Sequence, residues 1–437
     1  MNRREFHRHL FSALVTTAAA PRAVLSAQPL RVNGARLNGW LEALSAFGKN
    51  ELGGVTRPAY GAADVAARSY VLELMRAAGL DTTIDPVGNL VGRVPGREPR
   101  LTAIGTGSHI DSVPEGGRYD GTVGALAAIE VARTLDDAEQ RLRHPFEVII
   151  FQNEENGKVG SKALRGEDPA RYMDFVTNSG LTVRDGIRRI GGDPDRVQEA
   201  VRQAGSMAAF LELHIEQGAV LEAARVDIGV VEGIVGIRRW NVEVHGFANH
   251  AGTTPMDRRQ DALLAAARLV DAVNQIVRQR PGRQVGTVGS LRAEPGAANV
   301  IAGRAQLTIE LRDLSMQVID ALFEAIEARA RVIGQETGTR FEFRSVYRTE
   351  PATCSGVIGA VIDSQARAQG LTTLSLPSGA GHDAQEMALL GPIGMIFVPS
   401  RGGISHSAHE YTEPAQIEAG ANVLLHTLLH IDASLDA

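Results

Sequence analysis

The chain has 437 residues, 44% of them hydrophobic and 22% charged, and its 45 basic and 51 acidic side chains give a formal charge of −6. These proportions are typical of globular proteins and exclude disordered, collagen-like and disulfide-rich classes. The length predicts two or three domains. The mild acidity argues against a nucleic-acid partner, which would require a basic face. The single cysteine, Cys354, can form neither an internal disulfide nor a thiolate metal cluster.

The first 27 residues have the pattern of a twin-arginine export signal. Arg3 and Arg4 precede a weakly apolar stretch at residues 10–20, and Ala27 offers a small residue for cleavage. We therefore expect a periplasmic or secreted protein, and a cytoplasmic one if this segment has another role. Elsewhere no apolar run approaches the roughly 20 residues that span a bilayer, so no stable membrane association is expected.

Apolar spacing predicts alternating helices and strands after this segment. Val71, Leu74, Met75 and Ala78 follow the spacing of an amphipathic helix, and a second helix with one apolar face begins near Val123. Short apolar runs predict four buried strands, at residues 101–104, 146–151, 210–213 and 395–398. Strands that alternate with helices predict an α/β domain, in which we expect a mixed sheet covered by helices on both faces.

A different pattern in the middle of the chain predicts a smaller inserted domain. Alternating apolar residues indicate half-buried strands, and helical spacing between them indicates two helices, in a β-α-β-β-α-β order. This order fits an α+β unit of the split-βαβ, or ferredoxin-like, type. We place it at residues 237–349, between two parts of a larger domain at 30–236 and 350–437.

Histidine and carboxylate side chains follow the predicted strands of the large domain. Because the carboxyl ends of strands in an open α/β sheet form its ligand-binding edge, these side chains are expected to meet there. A lone histidine at a strand end is more often only hydrogen-bonded, but the repeated occurrence favours a metal site. The candidate ligands are His109, Asp120, Glu155, His214 and His406.

The chemistry of this set suits a divalent metal. Imidazole and carboxylate groups without thiolates favour Zn, Mn, Co or Ni. Asp120 is the natural bridge between two ions of a hydrolytic site, and Asp111 can accept the second ring N–H of His109. Glu154 and Glu155 are adjacent, so one can bind metal while the other acts as a base.

The motifs around these residues resemble the amidase, hydantoinase and carbamoylase family. That family includes N-carbamoyl-L-amino acid hydrolases, allantoate amidohydrolases and β-ureidopropionases, within the superfamily of dinuclear metallo-aminopeptidases and aminoacylases. The resemblance extends over the whole chain after the signal. The motifs are GSHIDS at 107–112, YDG at 119–121, NEE at 153–155, LELHIEQG at 211–218, HAGTTPM at 250–256, NVI at 299–301, SGAGHDA at 378–384 and GISH at 403–406.

The resemblance implies two divalent ions per subunit, held by the five candidate ligands, with Glu154 as the catalytic base. It also implies that the inserted domain is a lid through which a homodimer forms, and that His250 stabilises the oxyanion in the active site of the partner subunit. Gln217 and His382 would line the carbamoyl pocket.

The same resemblance implies that Asn299 and Arg312 hold the carboxylate of the substrate. A guanidinium on the polar face of a strand suits bidentate carboxylate capture. From the sequence pattern alone, however, Arg312 could equally form a surface ion pair with Glu310 or Asp313.

The resemblance implies a metal-dependent amidohydrolase acting on a small ureido acid, first of all an N-carbamoyl-L-amino acid. Allantoate and ureidopropionate are alternative substrates. Residues 156–159, Ala219 and Ala302 depart from the family pattern, and the first of these segments leaves the substrate open because it adjoins the reaction centre. A metallo-aminopeptidase or dipeptidase is a further alternative, and a non-catalytic binding protein on the same fold is the alternative from another class.

Overall fold

The computed structural model of the protein describes residues 29–435, so the predicted export signal at 1–27 lies outside the described residues. From Arg31 onward the chain forms one compact unit. Within the described range, no helix combines the length and the apolar character needed to cross a membrane.

The unit contains fifteen strands and eleven α-helices within residues 29–435. The strands are β1 Asp81–Ile84, β2 Leu90–Val94, β3 Ala103–His109, β4 Phe146–Phe151, β5 Met207–Ile215, β6 Ile228–Ile234, β7 Gly236–His245, β8 Asn249–His250, β9 Val285–Glu294, β10 Val300–Ile301, β11 Arg304–Asp313, β12 Arg340–Thr349, β13 Ala352–Thr353, β14 Thr373–Ser378 and β15 Ile393–Val398. The helices are α1 Gly34–Ser45, α2 Ala62–Ala77, α3 Thr122–Asp137, α4 Val159–Leu164, α5 Val183–Arg189, α6 Val220–Ala224, α7 Ala262–Gln279, α8 Met316–Thr337, α9 Gly356–Ala368, α10 Asp383–Met387 and α11 Pro414–Ser434.

The large sheet has the order β1-β2-β4-β3-β5-β15-β6-β13, and β14 also pairs with β6. Its centre, β4-β3-β5-β15, is parallel and consists of the four strands predicted from the sequence, whereas β2 and β6 pair with it in antiparallel fashion. The sheet is therefore mixed, as predicted, and the four central carboxyl ends lie at one edge.

Strand β3 is longer than the predicted strand at 101–104. The extension contains Gly105 and Gly107, which interrupt the apolar pattern. A Cβ atom at Gly107 would overlap the backbone carbonyl of Ile149 in the neighbouring strand β4. Close packing between neighbouring strands thus requires glycine where the sequence pattern favours a strand end.

Helices cover both faces of the large sheet, as the α/β prediction requires. On one face, α3 and α11 pack against β5 beside Leu213, and α9 packs on β15. On the other face, Phe210 and Met387 belong to one buried cluster under α10. Successive residues of β5 therefore alternate between two apolar layers, which explains the nearly continuous apolar run of this strand.

The small sheet has the order β12-β7-β11-β9 and is antiparallel throughout. Helices α7 and α8 cover one face and enclose a core that includes Trp240, Leu307 and Ile319. This is the expected β-α-β-β-α-β unit. Its edge strand β9 is the second strand of the predicted order. The sequence pattern assigned no residues to it, because most of its side chains are exposed and show no apolar alternation.

Two short connections join the sheets. Val235 lies between β6 and β7, and Glu350 and Pro351 lie between β12 and β13. The connections run side by side, and the Ile237 N–H donates to Thr349 Oγ1 at 3.2 Å.

Candidate metal centre

The parallel strands bring the candidate ligands to one cavity. His109 is the last residue of β3, Glu155 follows β4, His214 lies near the end of β5, and His406 lies in the loop after β15. All four, with Asp120, line a cavity of about 220 Å³. The structure therefore places the five predicted side chains together.

Asp120 lies between two groups of potential ligands. One carboxylate oxygen is 3.2 Å from His214 Nε2 and 3.8 Å from His109 Nε2. The other is 3.0 Å from His406 Nε2, which is 3.6 Å from Glu155 Oε2. Asp120 is thus shared by two clusters, each compact enough to hold one ion. This arrangement is that expected of a bridging carboxylate.

The hydrogen bonds of His109 and His214 show which ring nitrogen carries the proton. The other nitrogen, Nε2, faces Asp120 in both rings. His109 Nδ1 is 3.0 Å from the carbonyl oxygen of Asp111, and His214 Nδ1 is 2.8 Å from that of Ile215. A carbonyl only accepts, so in the neutral rings each Nδ1 carries the proton and Nε2 keeps the lone pair that a metal would use. In His214 this lone pair accepts a hydrogen bond from the Gly121 N–H at 3.1 Å. In addition, Glu155 Oε1 is buried without a hydrogen-bond partner. This donor set fits a divalent cation.

The electrostatics of the cavity also favour a cation. Burial raises the pKa of Glu154 to about 8, and burial together with the nearby Asp120 raises the pKa of Glu155 well above its usual range. Burial opposes protonation of His214, yet its hydrogen bond to Asp120 raises its pKa to about 9. The packed carboxylates therefore require compensating positive charge, which protons or metal ions can supply.

A third group of potential ligands, Glu212, His214 and His382, is less suited to metal. The two oxygens of Glu212 accept hydrogen bonds from Ser108 Oγ at 2.8 Å and from the Ala384 N–H at 2.9 Å. Glu212 was not among the sequence candidates. The available signal was a glutamate two residues before His214, on the same face of an otherwise apolar strand.

Asp111 supports the two glutamates through its side chain. Its carboxylate accepts hydrogen bonds from the N–H groups of Glu154 and Glu155, both at 3.2 Å. His109 Nδ1 is closer to the backbone carbonyl of Asp111, at 3.0 Å, than to its carboxylate, at 3.7 Å. The backbone of Asp111 therefore orients the histidine, and its side chain orients the residues after β4.

Glu410 connects the segments that carry Asp120 and His406, and the sequence did not reveal it. One carboxylate oxygen accepts from the N–H groups of Tyr119 at 2.8 Å and Asp120 at 3.1 Å. The other accepts from Ser405 Oγ at 2.8 Å. A buried carboxylate thus holds the backbone on both sides of the cavity.

Close packing next to Asp120 also explains why the following residue is a glycine. Gly121 has a φ of +65°, and a Cβ atom there would lie 2.4 Å from the His109 ring. Any side chain at this position would displace His109 from the cavity.

Three of the predicted substrate contacts line the cavity. Gln217 Nε2 donates to Asp120 at 2.8 Å, and Gln217 Oε1 is buried without a partner. His382 is fully buried beside His214, with ring centroids 4.5 Å apart. Arg312 lines the cavity and also pairs with Glu310 at 2.7 Å, so it has both of the environments considered from the sequence.

The other two predicted residues, His250 and Asn299, do not line this cavity. Both are exposed, in neighbouring segments that pair through β8 and β10. The ring of His250 has a defined orientation, because Nδ1 accepts from the N–H groups of Gly252 and Thr253 at 3.0 and 3.1 Å. Its Nε2 therefore carries a proton and can donate a hydrogen bond.

Comparison with known proteins identifies the family of this chain. Residues 105–430 match the peptidase family M20/M25/M40, and the chain belongs to this family. An N-carbamoyl-L-amino acid amidohydrolase of Geobacillus stearothermophilus is 39% identical over 402 residues, which cover 91% of this chain and 98% of the relative. Allantoate amidohydrolase of Bacillus subtilis is 35% identical over 394 residues, covering 88% and 94%.

A solved structure supports the narrower resemblance. An amidase of the hydantoinase/carbamoylase family from Burkholderia multivorans has a TM-score of 0.87 and 34% sequence identity, covering 93% of this chain and 100% of that chain. The resemblance inferred from the sequence motifs is confirmed.

Proposed function

We propose that this protein is a metal-dependent amidohydrolase that cleaves a C–N bond of a ureido acid, with an N-carbamoyl-L-amino acid as the preferred substrate. The observation that carries the proposal is the position of Asp120 between two ligand clusters. Its setting in a chain 39% identical to an N-carbamoyl-L-amino acid amidohydrolase supports the same reaction class. The similarity to an allantoate amidohydrolase keeps allantoate, beside ureidopropionate, as an alternative.

Two divalent ions, when bound, would activate a water molecule and polarise the scissile carbonyl. The residues proposed to hold them are His109, Asp120, Glu155, His214 and His406, and their donors suit Zn, Mn, Co or Ni.

Glu154 is the proposed base. Its Oε2 lies 3.9 Å from His109 Nε2, at the same cavity as the proposed ligands. Its carboxylate accepts a proton from the attacking water and then delivers it to the leaving nitrogen. Attack on a carbamoyl carbon would release the free amino acid, ammonia and carbon dioxide. Arg312 supplies the cation that holds the substrate carboxylate, after exchanging its contact with Glu310.

We further propose that two copies of the chain form a homodimer in which His250 of the partner subunit completes the site. The Nε2 proton of this residue suits stabilisation of an oxyanion. Exposed apolar side chains lie in the same segment, with Phe247 63% and Met256 76% accessible to solvent. Contact between two copies would cover such a surface.

The test is ammonia release by purified, Mn-loaded protein from N-carbamoyl amino acids, allantoate and ureidopropionate, with dipeptides followed by amine detection. A Glu154→Gln protein purified in parallel measures contaminating activity. Release from a ureido compound by the wild type alone supports the proposal. Dipeptide cleavage without ureido hydrolysis would instead establish a peptidase, and substrate binding without any turnover would indicate a binding protein.

The proposed location is the periplasm or the exterior, after twin-arginine export. Its support is the Arg3-Arg4 pair followed by an apolar stretch and Ala27. Fractionation of cells with and without the export machinery tests it. A full-length protein that stays in the cytoplasm in both would contradict it.

A further inference from the structure

The cavity is built from both sheets, so its shape depends on how they are oriented. Glu154 and the proposed ligands come from the large sheet, whereas Ile237, Arg312 and Thr349 come from the small one. The two sheets are joined through the connections at Val235 and at Glu350. The position of the connections, together with the hydrogen bond from Arg312 Nη1 to the Gly379 carbonyl at 2.6 Å, therefore sets where Arg312 lies relative to the proposed metal ligands.

One buried side chain from α10, a helix that packs on the large sheet, contacts both connections. Gln385 in α10 is 7% exposed, and its Nε2 donates to the carbonyl of Val235 at 3.2 Å and to that of Glu350 at 2.7 Å. Its Oε1 accepts from Lys158 Nζ at 2.6 Å. A lysine can only donate, so the oxygen and nitrogen of the amide are unambiguous. All hydrogen-bonding groups of the side chain are directed to these three partners.

Lys158 links this side chain to the segment of the proposed base. It lies four residues after Glu154, in a left-handed conformation with φ +58°, and it is itself buried. Its ammonium group also pairs with Glu386 at 2.8 Å, so the charge is compensated without any ligand. Gln385 is thus held by a fixed and neutralised donor, and both side chains form part of the cavity wall.

We propose that Gln385 is a positioning residue, which ties both connections to the large sheet and so sets the placement of Arg312 over the metal cluster. Its effect on turnover rests on the proposed function. Its effect on the connections does not, because the hydrogen bonds exist without substrate. Hinge positions of this kind change kcat and KM together.

The test compares two glutamine-to-methionine substitutions. Gln385→Met keeps the side-chain length and removes both donors. Gln284→Met is the matched control, because Gln284 Nε2 also donates to two carbonyls, those of Val277 at 3.0 Å and Arg280 at 2.6 Å, at the end of α7. The control therefore loses two donated bonds of the same kind without touching either connection. Only Gln385→Met also loses the bond from Lys158, and Gln385→Glu, which keeps an acceptor for Lys158, separates that loss from the loss of the two donors.

For Gln385→Met we expect hydrogen exchange at residues 233–237 and 348–352 to be about ten-fold faster. We also expect KM to rise, kcat/KM to fall by about 10- to 100-fold and bound metal to stay at the wild-type level. Gln284→Met should match the wild type in hydrogen exchange, in KM and kcat/KM, and in bound metal.

Wild-type exchange and KM in Gln385→Met would overturn the proposal. So would a smaller active fraction with unchanged KM, which indicates a purely structural role. If Gln385→Met does not fold, Gln385→Glu is used, because it keeps an acceptor for Lys158 and loses both donors. If the wild type hydrolyses no ureido compound, the proposed function fails, while the exchange rates still decide whether Gln385 holds the connections.

Discussion

The contacts of Glu410 predict how strongly a residue outside the ligand set controls metal affinity. Glu410→Ala removes the acceptor of three hydrogen bonds, from the backbone of Tyr119 and Asp120 and from Ser405. Hydrogen bonds to a charged group contribute about 1.5–3 kcal/mol each. Water can replace part of this, and loss of a group that orients metal ligands typically weakens binding by about 10- to 100-fold. We therefore expect Glu410→Ala to bind metal about 10- to 100-fold more weakly than the wild type.

The assay is competitive titration with a fluorescent chelator, using Glu410→Gln as the control. The amide oxygen can keep both backbone contacts, and its NH₂ group can donate to Ser405 Oγ. We therefore expect a loss of less than about three-fold for Glu410→Gln. Equal metal affinity for Glu410→Ala and the wild type would refute the assignment of this network to metal-ligand positioning.

Glu154→Gln should retain its metal and lose about 10²- to 10⁴-fold in kcat, and normal turnover would remove it from the role of base. A mixture of Glu154→Gln and His250→Ala proteins should regain activity after subunit exchange, because one site then has both groups; absence of rescue would place His250 outside the partner's site. Burial raises the pKa of Asp64 to about 6, above its value of 3.8 in an unfolded chain. The folded state then holds this proton more tightly, so stability is lost as pH rises from about 4 to 6. Asp64→Asn should gain melting temperature relative to the wild type across that interval, and a constant difference would contradict this sign.

The central sheet and the proposed ligands were accessible to sequence analysis because they combine two strong signals. Apolar runs such as Phe146–Phe151 mark buried strands, and polar residues directly after them mark the binding edge. His109 and His214 were found in this way, although the bounds of β3 were not. The family resemblance then distinguished Glu154 from Glu155, which spacing alone did not.

Groups that act through distant contacts gave no such signal. Glu410 and Gln385 lie far along the chain from the residues they support, and nothing in the local pattern links them. The residues of strand β9 could not be assigned from the sequence, because an exposed edge strand needs no apolar alternation. The environment of Arg312 was also open, since contact with both Glu310 and the cavity depends on how the two sheets meet.

The most direct test of metal-dependent ureido hydrolysis is to measure ammonia release from an N-carbamoyl-L-amino acid before and after metal removal. Chelated protein should be inactive, and stepwise return of Mn or Zn should restore ammonia release as the ion content approaches two per subunit. Asp120→Asn should regain neither ion nor activity, because both clusters share this carboxylate. Full activity in protein shown to be free of metal would contradict the proposed metal-dependent reaction.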